Sequence, residues 1–250
     1  MFKKSLLSLL LIFFSFFSNC QNSSSVKALE IIKKVDNNMF ADTQIMDSKM
    51  IVYGKRKSRT IRSKGYSKGA YKNYTEYLSP EREKGTKMLK LDNRLWIYSP
   101  STDRIIQLSG HLLRQSVMGS DLSYEDMMEE QKLSEIYYCN ILGEESIQNR
   151  NCWKLELVAK KEDVSYHKRI LYIDQSWFVP LKSELYAKSG ELLKRTTFNE
   201  IKKIQNRWYP TKINFKDVLK SGKGTDFIVL EVLFNSPIRN DFFLKSILKK

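Results

Sequence analysis

Residues 87–98 read Lys-Met-Leu-Lys-Leu-Asp-Asn-Arg-Leu-Trp-Ile-Tyr, which is two short apolar runs on either side of an Asp-Asn turn. Two strands joined by so tight a turn form an antiparallel hairpin. Apolar residues alternate with the period of a strand in both runs: Leu89 with Leu91 in the first, and either Trp96 with Tyr98 or Leu95 with Ile97 in the second. The stretch therefore predicts a sheet made of consecutive hairpins.

The same period of two extends on both sides of this hairpin. Residues 44–108 alternate almost throughout, with turn signals at Ser79-Pro80 and at residues 99–103. This spacing favours an antiparallel meander over alternating strands and helices. Further strands are predicted at Tyr137–Ile147, Cys152–Lys160, Tyr166–Asp174, Val179–Ala187, Leu193–Ile204, Tyr209–Val218 and Thr225–Phe234. Residues 227–230 are apolar on both faces, which predicts a central strand covered on both sides.

Helical signals interrupt the strands in three places. Val26, Leu29, Ile32, Val35 and Met39 recur at helical spacing after Ser25, which predicts an N-terminal helix capped by that serine.

Residues 111–118 predict a short amphipathic helix that ends at Gly119. A second helix is predicted from Tyr124 to about Lys132, with Ser123 and Asp126 forming a capping box. The apolar tail, residues 241–250, is expected to close an edge of the sheet. The fold class is thus mainly β, one long, strongly curved antiparallel sheet interrupted by a helical pair, with an additional helix at the N-terminus.

The N-terminus has the pattern of an export signal. Lys3 and Lys4 precede an apolar run from Leu6 to Phe17, which is too short to span a membrane comfortably. Cys20 follows, where bacterial lipoproteins are cleaved and acylated; the alternative is an ordinary signal peptide cut nearby. We expect a signal peptide at 1–19, lipidation at Cys20, a polar tether at 20–25 and a single domain at 26–250.

Net charge restricts the partners. The chain carries 43 Lys and Arg against 28 Asp and Glu, a formal charge of +15, which favours anionic surfaces and polymers. Export and the scattering of the basic residues along strands argue against nucleic acid. The alternative interpretation is simply a solvated, lysine-rich surface.

Catalytic and metal-binding motifs are scarce. His111 and His167 are the only histidines, and each is isolated from other ligand-type residues, which disfavours a zinc site or a histidine-based triad. Acidic residues cluster at 125–130, where helix-terminus electrostatics explains them better than catalysis does. We therefore expect no enzyme, cofactor or metal.

Cys139 and Cys152 are the other two cysteines. If the hairpin between them turns at residues 148–151, Ile147 faces Cys152 and Cys139 lies eight residues further along its strand. That separation is too large for a disulfide. A wider turn at Glu145-Ser146 would align them, but we favour two free thiols.

Three segments carry a family resemblance: residues 84–90, 95–104 and 119–127, the last reading Gly-Ser-Asp-Leu-Ser-Tyr-Glu-Asp-Met. Together they resemble the outer-membrane lipoprotein-sorting (LolA-like) domain family, in particular its branch in spirochaete lipoproteins. The resemblance extends from about Ala28 to Pro237. It implies a half-open antiparallel β-barrel with helices over its concave face and an apolar cavity that shelters acyl chains.

The expected function follows from this resemblance and from the methionines near the helices. We expect an envelope protein on the periplasmic side, held by a lipid anchor and monomeric, that binds lipid or lipoprotein acyl chains during lipoprotein sorting to the outer membrane. The alternative is a basic surface-binding lipoprotein, an adhesin or envelope-polymer binder. The residues expected to line the cavity are Met50, Val52, Leu89, Leu91, Trp96, Leu112, Leu113, Val117, Met127 and Met128.

Overall fold

A computed structural model describes residues 24–54, 56–129 and 131–250. The expected signal peptide, Cys20 and most of the expected tether lie outside these residues. Helix α1 occupies residues 24–39, so Ser25 lies inside the helix and does not cap it. Val26 is exposed, and the buried stripe of α1 consists of Ala28, Ile31, Ile32 and Val35.

One antiparallel sheet of thirteen strands dominates the described part of the chain. The strands are β1 Thr43–Tyr53, β2 Ser58–Lys68, β3 Lys72–Ser79, β4 Lys87–Leu91, β5 Arg94–Ser99, β6 Arg104–Leu108, β7 Tyr137–Ile147, β8 Arg150–Ala159, β9 Lys168–Asp174, β10 Pro180–Tyr186, β11 Leu192–Ile204, β12 Arg207–Asp217 and β13 Thr225–Phe234.

The strand order is β6-β5-β4-β3-β2-β1-β13-β12-β11-β10-β9-β8-β7, so two meanders are joined by the pairing of β1 with β13. The predicted meander is confirmed, and β13 is central as expected. The outer face of β13 is only partly covered. Asp226 is buried there, whereas Leu233 is 40% exposed, and Leu230, at a bulge in the pairing with β1, is 47% exposed.

The sheet is strongly bent, and two consecutive residues demonstrate it. The Met128 carbonyl accepts a hydrogen bond from Lys90 on β4, while the Glu129 carboxylate pairs with Arg169 on β9. These strands are eight places apart, which at about 4.8 Å per strand is about 38 Å in a flat sheet. Neighbouring residues reach both strands because the sheet curls around them. The edge strands β6 and β7 are not paired with each other in the described sheet, so hydrogen bonds do not close it.

The lid segment (residues 109–129 and 131–136) connects β6 to β7. The helix expected at residues 111–118 is instead two short 3-10 helices, Gly110–Arg114 and Val117–Gly119. The chain folds back here, because the Val117 amide donates to Leu122 and the Tyr124 amide donates to Gln115. Helix α2, Tyr124–Met128, ends before the expected Lys132, and α3 follows at Leu133–Ile136. The capping box of Ser123 and Asp126 is confirmed.

The C-terminal segment forms 3-10 helices at Asn240–Phe243 and Lys245–Lys249. It covers a face of β3–β5, with Ile247 and Leu248 buried against Tyr74, so the expectation that it closes an edge is wrong.

The two cysteines are free, as predicted, and both are buried. The hairpin register differs from the expected one, because the turn is formed by Gln148 and Asn149, both with positive φ. Glu145, not Ile147, therefore faces Cys152, and Cys139 faces Leu157.

Candidate functional site

A cavity of about 330 Å³ lies between the end of α1, the lid segment and the concave face of the sheet. Its lining residues come from the end of α1, from β1, β2, β3, β12 and β13, and from the lid segment, which the bent sheet brings together. They are Met39, Phe40, Ala41, Gln44, Met46, Ser48, Ser63, Gly65, Tyr66, Ser67, Gly69, Asn73, Thr75, Leu122, Asp126, Met127, Glu129, Tyr209, Ile213, Phe215 and Phe227.

Small residues on β1–β3 form the floor of the cavity. Ser48 pairs across the strands with Ser63, their Oγ atoms 3.1 Å apart, and Gly65 pairs with Thr75. Side chains of this size do not reach the lid segment, so space remains above them. The floor is also polar, with hydroxyl groups that both donate and accept hydrogen bonds.

Larger apolar side chains form the walls. Met46 projects from β1, Phe215 from β12 and Phe227 from β13, and Met127 closes the cavity from the lid segment. Methionine is flexible and polarizable, so these walls can adapt to the shape of an apolar ligand.

The lid segment forms the roof of the cavity, and Asp126 fixes it in place. Its carboxylate accepts hydrogen bonds from the Ser123 amide at 2.6 Å and the Ser123 hydroxyl at 2.8 Å. It also accepts from the Tyr166 hydroxyl and pairs with Lys194 on β11. Burial alone would raise the pKa of Asp126, but Lys194, Tyr166 and the Ser123 amide outweigh it and hold this pKa below its ordinary value.

A second ion pair holds the next turn of the lid segment. Glu129 pairs with Arg169 on β9, and Arg169 also donates to the Tyr137 hydroxyl at 2.8 Å. Burial alone would lower the pKa of Arg169, but Glu129 and Tyr137 raise it above its ordinary value. Arg169 is therefore a permanent cation at this place.

Two more cations reach the lid segment through its backbone. Lys90 on β4 donates to the carbonyls of Met128 and Ala70, both at 2.7 Å. Arg59 on β2 donates to the Met118 carbonyl at 2.8 Å. Strands on both sides of the bent sheet thus hold the lid segment down.

The structure divides the residues expected to line a cavity into three groups. The first group is one apolar cluster between the sheet and the lid segment. It contains Met50 and Val52 of β1 with Leu113, Val117, Met127 and Met128 of the lid segment, together with Ile61, Met88 and Leu95. Of the expected residues, only Met127 lines the 330 Å³ cavity. Leu112 is half-buried and lies outside this cluster.

Leu89, Leu91 and Trp96 lie on the opposite face of the sheet, beneath the C-terminal segment. This corrects the assignment of faces. A shift of one residue inverts the face of every side chain in a strand, and here the inward residues are Met88, Leu95 and Ile97.

Sequence reasoning missed Arg169 and Lys194, which hold the lid segment, and the wall residues Phe215 and Phe227. The strands that carry the two phenylalanines were predicted, but only the register of the whole sheet directs both side chains to the cavity. The charged pairs join residues 40 and 68 positions apart, which no local pattern indicates.

Within residues 24–54, 56–129 and 131–250, no three His, Cys, Asp or Glu side chains are grouped as a metal site. No helix in those ranges has the length and apolar character to cross a membrane.

A family model described only as an uncharacterized protein matches residues 69–250. An outer membrane lipoprotein-sorting protein domain from Vibrio parahaemolyticus is 24% identical with a TM-score of 0.78, covering 90% of this chain and all of that one. A LolA superfamily protein from Nitrosomonas europaea is 26% identical with a TM-score of 0.75, covering 88% and 98%. A DUF1329 family protein from Desulfovibrio piger is 22% identical with a TM-score of 0.81, covering 90% and 99%. No curated protein matches the sequence.

Proposed function

We propose that this chain, which belongs to the LolA-like superfamily of outer-membrane lipoprotein-sorting domains, binds acyl chains of a lipid or lipoprotein in the 330 Å³ cavity. The cavity itself is the observation that carries the proposal. Each methylene group moved there from water contributes about 0.8 kcal/mol, so a shaped apolar space suffices without a catalytic group. We therefore propose a binding and transport protein and not an enzyme.

The size of the cavity limits what it holds with the lid segment in this position. Ligand pockets usually measure about 300–1,000 Å³, and this one is at the lower end of that range. It accommodates part of one acyl chain. A longer chain requires the lid segment to separate from Arg169 and Lys194, which makes the bent sheet a half-open barrel with a movable cover.

The proposed place of action is the periplasmic side of the envelope. An acylated Cys20 would lie four residues before Ser24, where α1 is already formed. Four extended residues span on the order of 14 Å, so the domain would stay close to the membrane surface. A monomeric carrier held there would exchange acyl chains with the outer membrane over a short distance.

Binding of a fluorescent neutral acyl probe tests this proposal. The mature chain should bind the probe with one-to-one stoichiometry, and native mass spectrometry of membrane-extracted protein should detect bound lipid. The Ser63→Leu variant, which fills the floor of the cavity, should weaken probe binding at least tenfold, a loss of about 1.4 kcal/mol. Ser58→Leu on the same strand is the matched control, because Ser58 is exposed and outside the cavity. Absence of lipid and of probe binding in the unmodified chain would refute the proposal.

A second candidate function uses the outer face of the sheet. Lysines there lie over tyrosine rings: Lys168 is 4.6 Å from the ring centre of Tyr186, and Lys182 is 4.6 Å from that of Tyr172. Such pairs, in a chain of charge +15, favour binding of an acidic envelope polymer. That binding should weaken steeply with salt and persist in Ser63→Leu, whereas acyl-probe binding should show the reverse behaviour.

A further inference from the structure

The charged groups that line the 330 Å³ cavity are all acidic. Asp126 and Glu129 contribute carboxylates, and none of the described lining residues is a lysine, arginine or histidine. This is unexpected in a chain with a formal charge of +15. The two cations that pair with these carboxylates, Lys194 and Arg169, stand behind them and do not line the cavity.

The two carboxylates differ in how fully they are hydrogen-bonded. Both oxygens of Asp126 have donors, Tyr166 on one and Ser123 with Lys194 on the other. Glu129 uses Oε2 for Arg169, while its Oε1 is buried without a hydrogen-bond partner. Leaving a buried acceptor unpaired costs about 1–3 kcal/mol, and more when the group is charged. Among the described side chains, only one other polar atom is buried without a partner, the amide nitrogen Nε2 of Gln175 in the β9–β10 turn.

The Oε1 atom of Glu129 has almost no accessible surface, so a hydrogen-bond donor on a ligand would reach it only after the Glu129 side chain turned toward the cavity. An anionic end group would instead be buried beside two carboxylates with no cation lining the same space, which is electrostatically unfavourable. A neutral donor avoids this cost, because each carboxylate is already balanced by its own cation. The hydroxyls of Ser48 and Ser63 on the floor provide further neutral partners.

A neighbouring cavity of about 520 Å³ provides the contrast. Leu122 lines both cavities. The walls of the second carry the cations Arg114, Lys188, Lys194 and Lys220 together with the carboxylates of Asp121, Glu125 and Asp217. Positive charge is therefore available near the lid segment but is kept out of the apolar cavity.

We infer that the apolar cavity selects amphiphiles whose polar end is an uncharged hydrogen-bond donor, an amide N–H or a hydroxyl, and rejects free fatty acids. This inference deepens the proposed function and rests on it. The acyl or alkyl chain occupies the space among Met46, Met127, Phe215 and Phe227. The polar end lies beside the Asp126 and Glu129 side chains, and a turn of Glu129 would bring its Oε1 to the donor.

Displacement of the neutral acyl probe by dodecanamide, dodecanol and dodecanoic acid at neutral pH tests the inference. The three compounds share one chain length, so their differences report the end group alone. The dissociation constants of the amide and the alcohol should each be at least tenfold lower than that of the acid. The ratio of the amide constant to the alcohol constant distinguishes an amide donor from a hydroxyl donor. In the Glu129→Gln variant, the preference for the amide and the alcohol over the acid should fall below about threefold, a difference of less than 1 kcal/mol in binding free energy.

Glu125→Gln is the matched control, because Glu125 lies on α2, which directly precedes Glu129, and lines the neighbouring cavity but not this one. It should keep the full preference. If Glu129→Gln does not fold, as judged by circular dichroism, the ratios measured with the unmodified chain still decide the matter. Equal or tighter binding of the acid would overturn the inference and leave the proposed function standing. Failure of all three compounds and of the probe to bind would refute the proposed function instead.

Discussion

The two halves of the concave face are filled in different ways. Over β7–β9, α1 inserts Ile32 and Val35 between strands whose inward residues include Leu155 and Leu157, all of them at most 1% exposed. Over β1–β3, the floor of the cavity is formed by small residues, Ser48, Ser63, Gly65 and Thr75, and the lid segment lies above them. One half is a dry core and the other retains a cavity.

Side-chain size at paired positions explains this difference. Leu155 faces Leu171 across β8 and β9, whereas Ser48 faces Ser63 across β1 and β2. A close-packed core leaves few voids larger than a water molecule. The floor of small polar residues therefore interrupts close packing in one part of the bent sheet, as the proposed binding function requires, and four sets of measurements test that contrast.

The largest effect is expected from deleting side chains on the two sides. Leu155→Ala removes fully buried methyl groups where the surroundings cannot collapse, so it should lower the free energy of unfolding by nearly 5 kcal/mol in the usual range of about 2–5. Met46→Ala removes a side chain that already borders empty space and should cost closer to 2 kcal/mol. Urea denaturation measures both losses. Equal losses in the free energy of unfolding would mean that Met46 is packed as closely as Leu155 in spite of the cavity.

Cutting the ion pair that holds the roof should have the next largest effect. Lys194 and Asp126 have side chains only 10% and 12% exposed, and Lys194→Met leaves the carboxylate buried without its cation. We expect a loss of about 3 kcal/mol in the free energy of unfolding.

Lys154→Met is the matched control for this change. Its pair with Glu145 is 35% and 44% exposed, so its loss should be under about 1 kcal/mol. A loss in Lys194→Met as small as the control's would show that the roof is held by packing and not by charge. Hydrogen exchange of the lid amides should accelerate in Lys194→Met alone.

The sequence predicted the strands of both halves better than their faces. The bounds of β7 and β13 agree to the residue, because turn residues and alternation mark them clearly. The faces of β4 and β5 could not be assigned, since both are apolar. Met88 and Leu95 meet the lid segment, while Leu89 and Trp96 meet the C-terminal segment.

The capping box of α2 was predictable because it is encoded within four residues. Its long-range partners were not. Lys194 resembles any other lysine of a basic chain until the register of β11 turns it inward toward Asp126. Local signals therefore define the elements of this fold, while the site depends on which elements the bend of the sheet brings together.

A smaller effect is expected from the hydroxyl pair on the cavity floor. Ser48→Ala alone removes the partner of Ser63 and should cost about 1 kcal/mol in the free energy of unfolding. Ser48→Ala with Ser63→Ala removes both partners and should be nearly neutral. The double variant should also bind the neutral acyl probe a few-fold more tightly, because its floor is more apolar. An additive loss of stability in the double variant, measured by urea denaturation, would contradict the assignment of these serines to one hydrogen bond.

The smallest effect is a difference in pH dependence between one carboxyl group from each half. Asp36 of α1 is 2% exposed, and burial raises its pKa, although the amides of Leu133 and Ser134 partly offset this. Burial also acts on Asp126, but Lys194 and Tyr166 lower its pKa overall. The two groups should therefore shift the free energy of unfolding in opposite directions as the solution is acidified.

Acidification should first protonate Asp36 in the folded state. Because its folded pKa lies above the ordinary 3.8, the protein gains stability as pH falls through that folded value, and the gain is complete near pH 3.8. The folded pKa of Asp126 lies below 3.8, so its contribution to stability is fully present above that pH and is lost as pH falls further.

The unfolding free energies of Asp36→Asn and Asp126→Asn, each subtracted from that of the unmodified chain across this pH range, isolate the contributions of the two carboxyl groups. The Asp36 difference should change above pH 3.8 and the Asp126 difference only below it. Changes of the same sign in the same range would mean that both carboxylates are equally compensated, and that the dry core and the cavity roof do not differ electrostatically.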